Sequence, residues 1–414
     1  MKQKITVGMI AAMPFPPHKA AGIRVQNEVE VLGRRVAMRL YCAQAATRTK
    51  SIRISGATIV FARRQLKTDD YYRYYSWLGK LMLDWELAGL VASDIRQGRL
   101  SLLHGHTPEG VLIAILASMR AWRRLPIIAD LHGPLLPELM HYKMIPNFRP
   151  IIWMFVVAEK VMYAFCSRLL VTSEGLRTYV STRIKNKSKA EVFSDYVLLR
   201  RFALSSGVPS EIGQLKPDNA PLIMYAGTLK DYQGLDILLK ALTKLKRQRV
   251  RFRLAILGDG GLGKEYYQQM TERLGIVKHC TFLGMVPHNE VKEYLTIADI
   301  LVSPRKDNEI TRGGFVSQLP EYMAMGKVIV ATSISDCDKM LSDNVGILVR
   351  PNSSQALAEG IVKAIREKNN WKSYQNKARL RAKSFSWEEN SKRLIDLYWQ
   401  IIKENERRES ESRA

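Results

Sequence analysis

The 414-residue chain has few cysteines and no long hydrophobic run. The longest apolar runs, residues 111–119 and 151–158, fall well short of the roughly 20 residues that span a bilayer. The apolar run near the N-terminus leads straight into a charged helical pattern, which is typical of a first buried strand and not of a secretory signal. We therefore expect no transmembrane helix, no signal peptide and a reduced, cytoplasmic setting. The four scattered cysteines are Cys42, Cys166, Cys280 and Cys337.

Acidic residues are also in short supply. The chain has 64 Lys and Arg against 39 Asp and Glu, a net charge of +25. Residues 1–204 hold 31 basic and 14 acidic residues, a net of +17, and residues 205–414 hold 33 and 25, a net of +8. A basic face suits an anionic membrane surface or a lipid diphosphate. Nucleic acid would also suit it, but no zinc-finger, RNP-type or helix-turn-helix signature accompanies the charge, so we expect no nucleic-acid partner.

The length of the chain predicts two domains, because single cores stop growing below this size. The polar segment 205–219 contains Pro and Gly and has no clear period, which is typical of a boundary. We expect a first domain over 1–204, a linker over 205–220, a second domain over 221–384, a helix over 385–405 and a disordered tail over 406–414.

Five short apolar runs in the second half predict buried parallel strands, each followed by a turn or a helical pattern. They are Leu222–Tyr225, Leu254–Leu257, Thr281–Gly284, Ile300–Ser303 and Val328–Ala331. Glycines at such strand ends let backbone amides approach phosphate oxygens. The glycines at predicted strand ends are Gly227, Gly258, Gly260, Gly261 and Gly284. The pattern indicates a nucleotide-binding α/β domain.

A helix is predicted from Leu319 to Met325, closed by Gly326 in a left-handed cap. Glu321 would lie in its first turn, where the helix dipole stabilises a carboxylate. Such a carboxylate could accept hydrogen bonds from two vicinal ribose hydroxyls. It could equally be an ordinary acidic residue at a helix N-terminus, and the pattern leaves both interpretations open.

These segments resemble the donor domain of the family 4 retaining glycosyltransferases. The matching stretches are MYAGTLKDYQGLDILLKAL (224–242), LAILGDGG (254–261), FLGMVPHNEVKEYLTIADILVSPR (282–305) and PEYMAMGKVIVAT (320–332). Weaker matches are residues 13–32, 104–110 and 127–139. The resemblance implies an α/β GT-B fold, in which two facing Rossmann-like domains with parallel sheets bind a nucleotide sugar and a C-terminal helix crosses back to the first domain.

The resemblance also implies roles for individual residues. His132 is expected near the transferred sugar, Glu321 on the ribose, and Arg24 on the diphosphate, whose leaving-group charge needs cations or amides. The other expected donor-binding residues are Gly22, Gly227, Lys230, Gly258, Gly284, Met285, Arg305, Arg312, Gln318 and Leu319. We expect no cofactor and no metal, since no DxD signature is present. The pair His104 and His106 has no third ligand nearby in the sequence.

The sequence departs from the family pattern at several polar positions. Gly313 stands where the first of two glutamates is usual, and Gln318 stands where a lysine is frequent. Thr228 and Gln233 stand where the family has a phosphate-binding arginine and lysine. The YQG and SPR motifs are typical of a variant subgroup. Two alternatives stay open: a non-catalytic GT-B homologue acting as a membrane-associated scaffold, and a nucleotide-sugar epimerase.

The resemblance implies a retaining hexosyltransferase that uses a UDP- or GDP-sugar. Its expected acceptor is a lipid-linked or growing saccharide of lipopolysaccharide, capsule or exopolysaccharide. Residues 71–82 and 140–155 mix aromatic, basic and apolar side chains, as an interfacial helix does. They predict peripheral attachment to the cytoplasmic face of the plasma membrane, although amphipathic stripes of this kind also pack into cores.

Overall fold

The computed structural model describes residues 5–15, 17, 20–44, 54–65, 77–202, 212, 215–216 and 218–411. The chain divides into two compact units. The first unit comprises Met1–Asp195 and Trp387–Ala414, and the second is the continuous segment Tyr196–Ser386. Most of the predicted linker, 205–220, lies outside the described residues.

The first unit is built on a seven-stranded parallel sheet. Its strands are β1 Thr6–Phe15, β2 Ala37–Gln44, β3 Ala57–Gln65, β4 Leu102–His106, β5 Ile127–Leu131, β6 Arg168–Val171 and β7 Ala190–Val192. The helices before residue 195 are α1 Ala20–Leu32, α2 Trp77–Arg96, α3 Thr107–Ala121, α4 Leu135–His141, α5 Arg149–Phe165 and α6 Glu174–Ser181. The strand order is β3-β2-β1-β4-β5-β6-β7, so the order reverses between β1 and β4.

The second unit contains a six-stranded parallel sheet. Its strands are β8 Leu222–Ala226, β9 Arg253–Leu257, β10 Cys280–Gly284, β11 Ile300–Ser303, β12 Val328–Thr332 and β13 Ile347–Val349. Its helices are α7 Leu235–Arg247, α8 Lys264–Arg273, α9 Val291–Ile297, α10 Glu309–Gly313, α11 Gln318–Met325, α12 Cys337–Leu341, α13 Ser354–Arg366 and α14 Trp371–Ser384. The order β10-β9-β8-β11-β12-β13 reverses between β8 and β11.

Both faces of the second sheet are buried, which explains why its strands are continuous apolar runs. In β8, Ile223 and Tyr225 belong to one hydrophobic cluster, and the alternate residues Leu222 and Met224 belong to another. The same alternation recurs in β11 and β12. Helices cover each face, α7 and α13 on one side and α11 and α12 on the other. This layering leaves the carboxyl ends of the strands as the edge where a ligand can approach.

The last helix of the chain, α15 Trp387–Glu411, belongs to the first unit and packs against α1. Residues 406–411, predicted as disordered tail, are helical here. Pairs spaced four apart, Arg407 with Glu411 and Asn405 with Glu409, stabilise this extension. Among the helices of the described residues, none has both the length and the apolar character to cross a bilayer.

Candidate functional site

The carboxyl ends of β8 and β11 form the switch point of the second sheet, where open α/β sheets bind their ligands. Gly227 directly follows β8, and Arg305 comes two residues after β11. The YQG and SPR motifs meet at this point. Gly234 has φ 75°, and a Cβ there would lie 2.0 Å from the carbonyl oxygen of Pro304. Only glycine therefore lets the turn before α7 pass against the segment that follows β11.

Arg305 is a buried cation at this switch point. Its side chain is 7% exposed, and Nη1 donates a 3.0 Å hydrogen bond to the carbonyl oxygen of Phe315. Its Cζ lies 5.7 Å from the ring centroid of Tyr232. Nε has no hydrogen-bond partner, and no Asp or Glu forms an ion pair with this guanidinium among the described residues. A buried guanidinium without a counter-charge is costly, so the position favours an anionic ligand.

The other predicted cations of this unit are engaged differently. Arg312 is exposed and donates from Nε and Nη2 to the two carboxylate oxygens of Asp307, at 2.6 and 3.0 Å. The Lys230 ammonium lies 5.6 Å from the ring centroid of Tyr232. Their expected contacts with a donor therefore remain predictions.

Glu321 lies in the first turn of α11, as predicted. Its Oε1 accepts a 2.9 Å hydrogen bond from Nε2 of His288. Burial lowers the pKa of His288, but the hydrogen bond and the charge of Glu321 outweigh that effect and raise this pKa above 6.5. The carboxylate is thus held in place by a side chain that the sequence analysis did not identify as part of the site.

Gln318, which replaces the frequent lysine, cross-links the ends of β8 and β11. Its Nε2 donates to the carbonyl oxygen of Ala226 at 2.5 Å, and its Oε1 accepts from the Ser303 hydroxyl at 3.4 Å. Leu319 is fully buried in the core, so its side chain is unavailable to a ligand in this arrangement. Gly313 is buried at the end of α10. The neutral side-chain amide of Gln318 therefore stabilises this edge of the sheet without adding charge.

The glycine-rich strand ends hold one another through backbone contacts. The amide of Gly227 donates to Leu257, and the amide of Gly258 donates to Gly284, at 2.8 and 2.7 Å. Gly258 has φ 131°, and a Cβ there would lie 1.9 Å from the carbonyl oxygen of Gly227. Met285, beside Gly284, is exposed. These contacts bring the three predicted strand ends together.

The first unit carries a buried polar cluster at the carboxyl ends of β4 and β5. Its members with no solvent exposure are Glu28 of α1, His104 and His106 of β4, Asp130 of β5 and Tyr398 of α15. His104 and His106 point to the same side of their strand, as their spacing predicts, and their rings stack with centroids 4.6 Å apart. The expectation that no third ligand-type residue lies near this pair is wrong, because Glu28 and Asp130 lie beside it.

Burial and charge shift the titration of this cluster. Burial raises the pKa of Glu28 to about 7. Burial also raises the pKa of Asp130, but the adjacent Arg24 guanidinium and the nearby imidazole of His104 hold it well below 3.8. The pKa values of His106 and His132 are lowered from 6.5, chiefly because burial disfavours the imidazolium. Around neutral pH the cluster therefore combines an ionised Asp130 with neutral His106 and His132.

Arg24 is committed within the first unit. Nε and Nη2 donate to Oδ2 of Asp130 at 3.2 and 2.8 Å, and Nη1 donates to Oδ1 of Asp195 at 2.8 Å. The carbonyl oxygens of Ser194 and Phe193 accept two further hydrogen bonds. All five N–H donors of the guanidinium are thus used. The expected contact of Arg24 with a diphosphate remains a prediction. Any such contact would compete with these hydrogen bonds.

His132 directly follows β5, at the edge of the cluster. Its Nε2 lies 3.2 Å from Nδ1 of His106 and 3.6 Å from Oδ1 of Asp130, and its Nδ1 has no hydrogen-bond partner among the described residues. The side chain is 13% exposed. Thr107, next to His106, has φ 63°, which is strained for a β-branched residue and marks this strand end as a candidate functional position.

Gly22 lies in the first turn of α1 and is buried. A Cβ there would lie 2.4 Å from the Cβ of Pro17, so packing within the first unit requires glycine at this position. This packing explains the glycine without a ligand, so the approach of Gly22 to a donor phosphate stays a prediction.

Sequence reasoning missed Glu28, Asp130, Asp195 and His288 as members of the two sites. Two signals were present. Asp130 interrupts the otherwise apolar strand IIADL, and Glu28 follows Arg24 by four residues, on the same face of α1. An acidic residue at such a position is buried only when it has a partner. His288 and Glu321 are 33 residues apart, and no local pattern joins them.

Exposed apolar side chains cluster on helices of the first unit. On α5, the exposed residues Trp153, Met154, Val161 and Phe165 follow helical spacing. Tyr142, Met144 and Phe148, just before α5, are exposed as well. The second predicted aromatic segment, 140–155, thus presents Tyr142, Phe148 and Trp153 to solvent. Of the first, 71–76 lie outside the described residues, and Leu81 and Met82 are exposed.

Models of two protein families match adjacent parts of the chain. The model for glycosyl transferases group 1 matches residues 211–381, and the model for the glycosyl transferase 4-like domain matches residues 20–194. Together with the two parallel α/β units, these matches confirm the predicted fold class and the prediction of an enzyme. The chain has the GT-B fold, and each of its halves matches a family of glycosyltransferase domains.

Particular relatives support the same class. The chain is 24% identical over 185 residues to the lipopolysaccharide 1,2-N-acetylglucosaminetransferase of Salmonella typhimurium, covering 43% of this chain and 48% of that one. It is 24% identical over 289 residues to the putative teichuronic acid biosynthesis glycosyltransferase TuaC of Bacillus subtilis, covering 67% and 65%. The chain thus spans about half to two thirds of these relatives. The solved structure of Anabaena Alr3699/HepE with UDP and glucose is similar in fold, with a TM-score of 0.73, 18% identity and coverage of 96% and 100%.

Proposed function

We propose that the protein is a retaining glycosyltransferase that moves a hexose from a nucleoside diphosphate sugar to a lipid-linked or saccharide acceptor in cell-surface polysaccharide biosynthesis. Arg305 carries this proposal, because it is a buried guanidinium without a carboxylate partner among the described residues. It lies at the switch point of a sheet of the Rossmann type, where nucleotides bind in such folds.

In this proposal Arg305 binds the diphosphate. Cleavage of the sugar–phosphate bond builds negative charge on the departing nucleoside diphosphate, and a preorganised cation stabilises that charge most where water is excluded. Its planar fork suits two phosphate oxygens. Because Arg305 supplies a positive charge, leaving-group stabilisation needs no metal ion in this unit.

Glu321 accepts hydrogen bonds from the ribose hydroxyls of the donor. An ionised carboxylate can accept from two vicinal hydroxyls, and the N-terminal end of α11 stabilises its charge. His288 positions this carboxylate through its 2.9 Å hydrogen bond. The exposed backbone near Gly284 and Met285 holds the base, and Gln318 fixes the edge that these groups share.

His132 is the residue proposed to contact the transferred sugar. It follows β5, it is partly exposed, and burial holds it neutral around pH 7. Its Nδ1 is buried without a hydrogen-bond partner among the described residues, which leaves one donor or acceptor of the ring unused. Arg24 holds this edge of the first unit through Asp130 and Asp195, and its predicted contact with the diphosphate would have to open part of that pairing.

An anionic membrane surface is the proposed location of the acceptor. The exposed apolar residues Trp153, Val161 and Phe165 on α5 belong to the half of the chain with a net charge of +17. Apolar side chains combined with excess positive charge are what interfacial helices use to bind anionic lipids. The lipopolysaccharide and teichuronic acid functions named for two relatives support an acceptor of this kind.

The test is nucleotide binding by calorimetry with UDP, GDP and ADP on the wild type and three variants. Arg305→Gln removes the cation, Arg305→Lys keeps the charge but loses the fork, and Lys363→Gln is the control on the exposed face of α13. We expect one nucleotide to bind the wild type and the control equally. Arg305→Gln should weaken it at least about tenfold, about 1.4 kcal/mol, with Arg305→Lys between.

Equal affinity in Arg305→Gln would exclude the diphosphate role. If no nucleotide binds the wild type at millimolar concentration, the non-catalytic alternative replaces this proposal. A nucleotide-sugar substrate that is epimerised without any acceptor would favour the epimerase. Retention is tested by the anomeric configuration of the transferred sugar, read by NMR on the product.

A further inference from the structure

The buried cluster of the first unit contains polar atoms that have no hydrogen-bond partner among the described residues. We propose that Glu28, His104, His106 and Asp130 bind one divalent transition-metal ion, with Zn²⁺ as the ion that fits best. The four side chains come from α1, β4 and β5, and all four are fully buried. The proposal does not rest on the donor-binding role proposed for the second unit.

Distances within the cluster match the separations of ligands around one ion. Each of the four residues offers one ligand atom, and these atoms all lie within 4.8 Å of one another. Nε2 of His104 lies 3.6 Å from Oδ2 of Asp130, and Nε2 of His106 lies 3.9 Å from Oε2 of Glu28. These separations are too long for hydrogen bonds. Ligands about 2.0–2.1 Å from a tetrahedral zinc ion are about 3.3 Å apart, so the most widely separated ligand atoms approach one another by up to about 1.5 Å when the ion binds.

The two histidines are held in the way that metal-binding histidines usually are. Nδ1 of His104 is hydrogen-bonded to the Tyr398 hydroxyl at 2.7 Å, and Nδ1 of His106 lies 3.2 Å from Nε2 of His132. In each ring the other nitrogen, Nε2, is buried and has no hydrogen-bond partner among the described residues. A second partner on the far nitrogen fixes the ring and leaves the near nitrogen for the metal.

Each of the two carboxylates likewise has one oxygen with a hydrogen-bond partner and one without. Oδ2 of Asp130 accepts from Arg24, and Oε1 of Glu28 lies 3.4 Å from the Tyr398 hydroxyl. The remaining oxygens, Oδ1 of Asp130 and Oε2 of Glu28, are buried without a hydrogen-bond partner in the described part of the chain. Each of the four residues therefore has one engaged atom and one unsatisfied atom. Buried unsatisfied polar atoms are costly, and four in one cluster favour a partner that the described residues do not supply.

Charge also favours a dication. Three carboxylates, those of Glu28, Asp130 and Asp195, surround a single guanidinium, that of Arg24. A divalent ion would offset this excess of carboxylates over guanidinium groups. Two imidazole nitrogens and two carboxylate oxygens suit zinc better than calcium or magnesium, which prefer oxygen alone. Four protein ligands would close the site, so the ion would stabilise the first unit and take no part in sugar transfer.

The experiment uses the full chain, stripped with a chelator and dialysed against excess Zn²⁺, with bound metal measured by plasma mass spectrometry. The test variants are His104→Gln and His106→Gln, and the control is His141→Gln on the exposed end of α4. We expect about one zinc per chain in the wild type and the control, and a loss of most of it in both test variants. Zinc should also raise the melting temperature of the wild type and the control, which retain the metal, and leave that of the two test variants unchanged.

A second readout guards against variants that fail to fold. Cobalt(II) loaded into the wild type should give the intense visible absorption of a four-coordinate site, which zinc then abolishes by displacement. A folded wild type that binds less than a tenth of an equivalent of zinc and gives no cobalt spectrum would overturn the proposal, and the cluster would then be a proton-sharing network. Zinc that persists in both variants would place the metal elsewhere and overturn it equally.

Discussion

Nε2 of His288 donates a 2.9 Å hydrogen bond to Oε1 of Glu321, which ties the loop after β10 to the first turn of α11. Both side chains are about one quarter exposed. Because the pKa of His288 is raised above 6.5 in the folded protein, the pair stabilises the fold most fully below pH 6.5. That stabilisation is lost as the pH rises through the raised value.

The first prediction concerns this pH dependence. Glu321→Gln should lower the free energy of unfolding by about 1 kcal/mol at pH 5.5, an order of magnitude set by a partly exposed, charge-assisted hydrogen bond. The difference should shrink at about pH 9, because the pair weakens as the pH rises through the raised pKa of His288. Urea unfolding at both values measures it, with the exposed Glu309→Gln as the control. A penalty that stays constant with pH would contradict the ion pair.

The second prediction separates a ribose contact from general nucleotide binding. The wild type should bind the preferred nucleoside diphosphate more tightly than its 2′,3′-dideoxy analogue, because the analogue leaves the Glu321 carboxylate without donors. Glu321→Ala should bind the two ligands equally. Calorimetry on the four combinations forms a double-mutant cycle. A coupling energy near zero would exclude the ribose contact.

The third prediction concerns Arg24, whose five hydrogen bonds stay within the first unit. Arg24→Gln should lower the free energy of unfolding by about 3–5 kcal/mol, because it leaves Asp130 buried without its cation. The double variant Arg24→Gln with Asp130→Asn should recover part of this loss. Chemical unfolding measures both. A stable Arg24→Gln protein with greatly weakened nucleotide binding would instead support the diphosphate role that the family resemblance implies.

The fourth prediction concerns His132. His132→Asn should reduce kcat about tenfold or more, which corresponds to about 1.4 kcal/mol of transition-state stabilisation, while nucleotide affinity and thermal stability change little. Steady-state transfer assays and melting curves test it together. An unchanged kcat would end the assignment, and a large loss of stability would point to a structural role within the cluster.

The fifth prediction concerns the membrane surface. Trp153→Ser combined with Phe165→Ser should reduce co-sedimentation with vesicles of anionic phospholipid at least about fivefold, since each exposed apolar side chain contributes on the order of 1 kcal/mol at an interface. Leu380→Ser is a matched control, an exposed apolar residue of the second unit. Equal binding of wild type and double variant, or no preference for anionic over neutral vesicles, would refute the proposal.

The strands of the second unit were readable from sequence because both faces of its sheet are buried. The predicted strand Ile300–Ser303 coincides with β11, and Gly326 caps α11 with φ 59° as expected. The buried charged residues could not be predicted from the sequence. Arg24 and Asp130 are 106 residues apart, and whether an ionised group is buried depends on partners that only the folded chain assembles. Local patterns report periodicity and caps, whereas the cluster is a product of tertiary contacts.

The C-terminal helix α15 has a consequence for the order in which the protein folds. The first unit needs α15 to complete its core and to bring Tyr398 against His104, yet α15 follows the whole of the second unit in the chain. During translation, which proceeds from the N-terminus, the ribosome therefore releases every part of the second unit before the first unit has its last element. The unit encoded first is the one that is finished last.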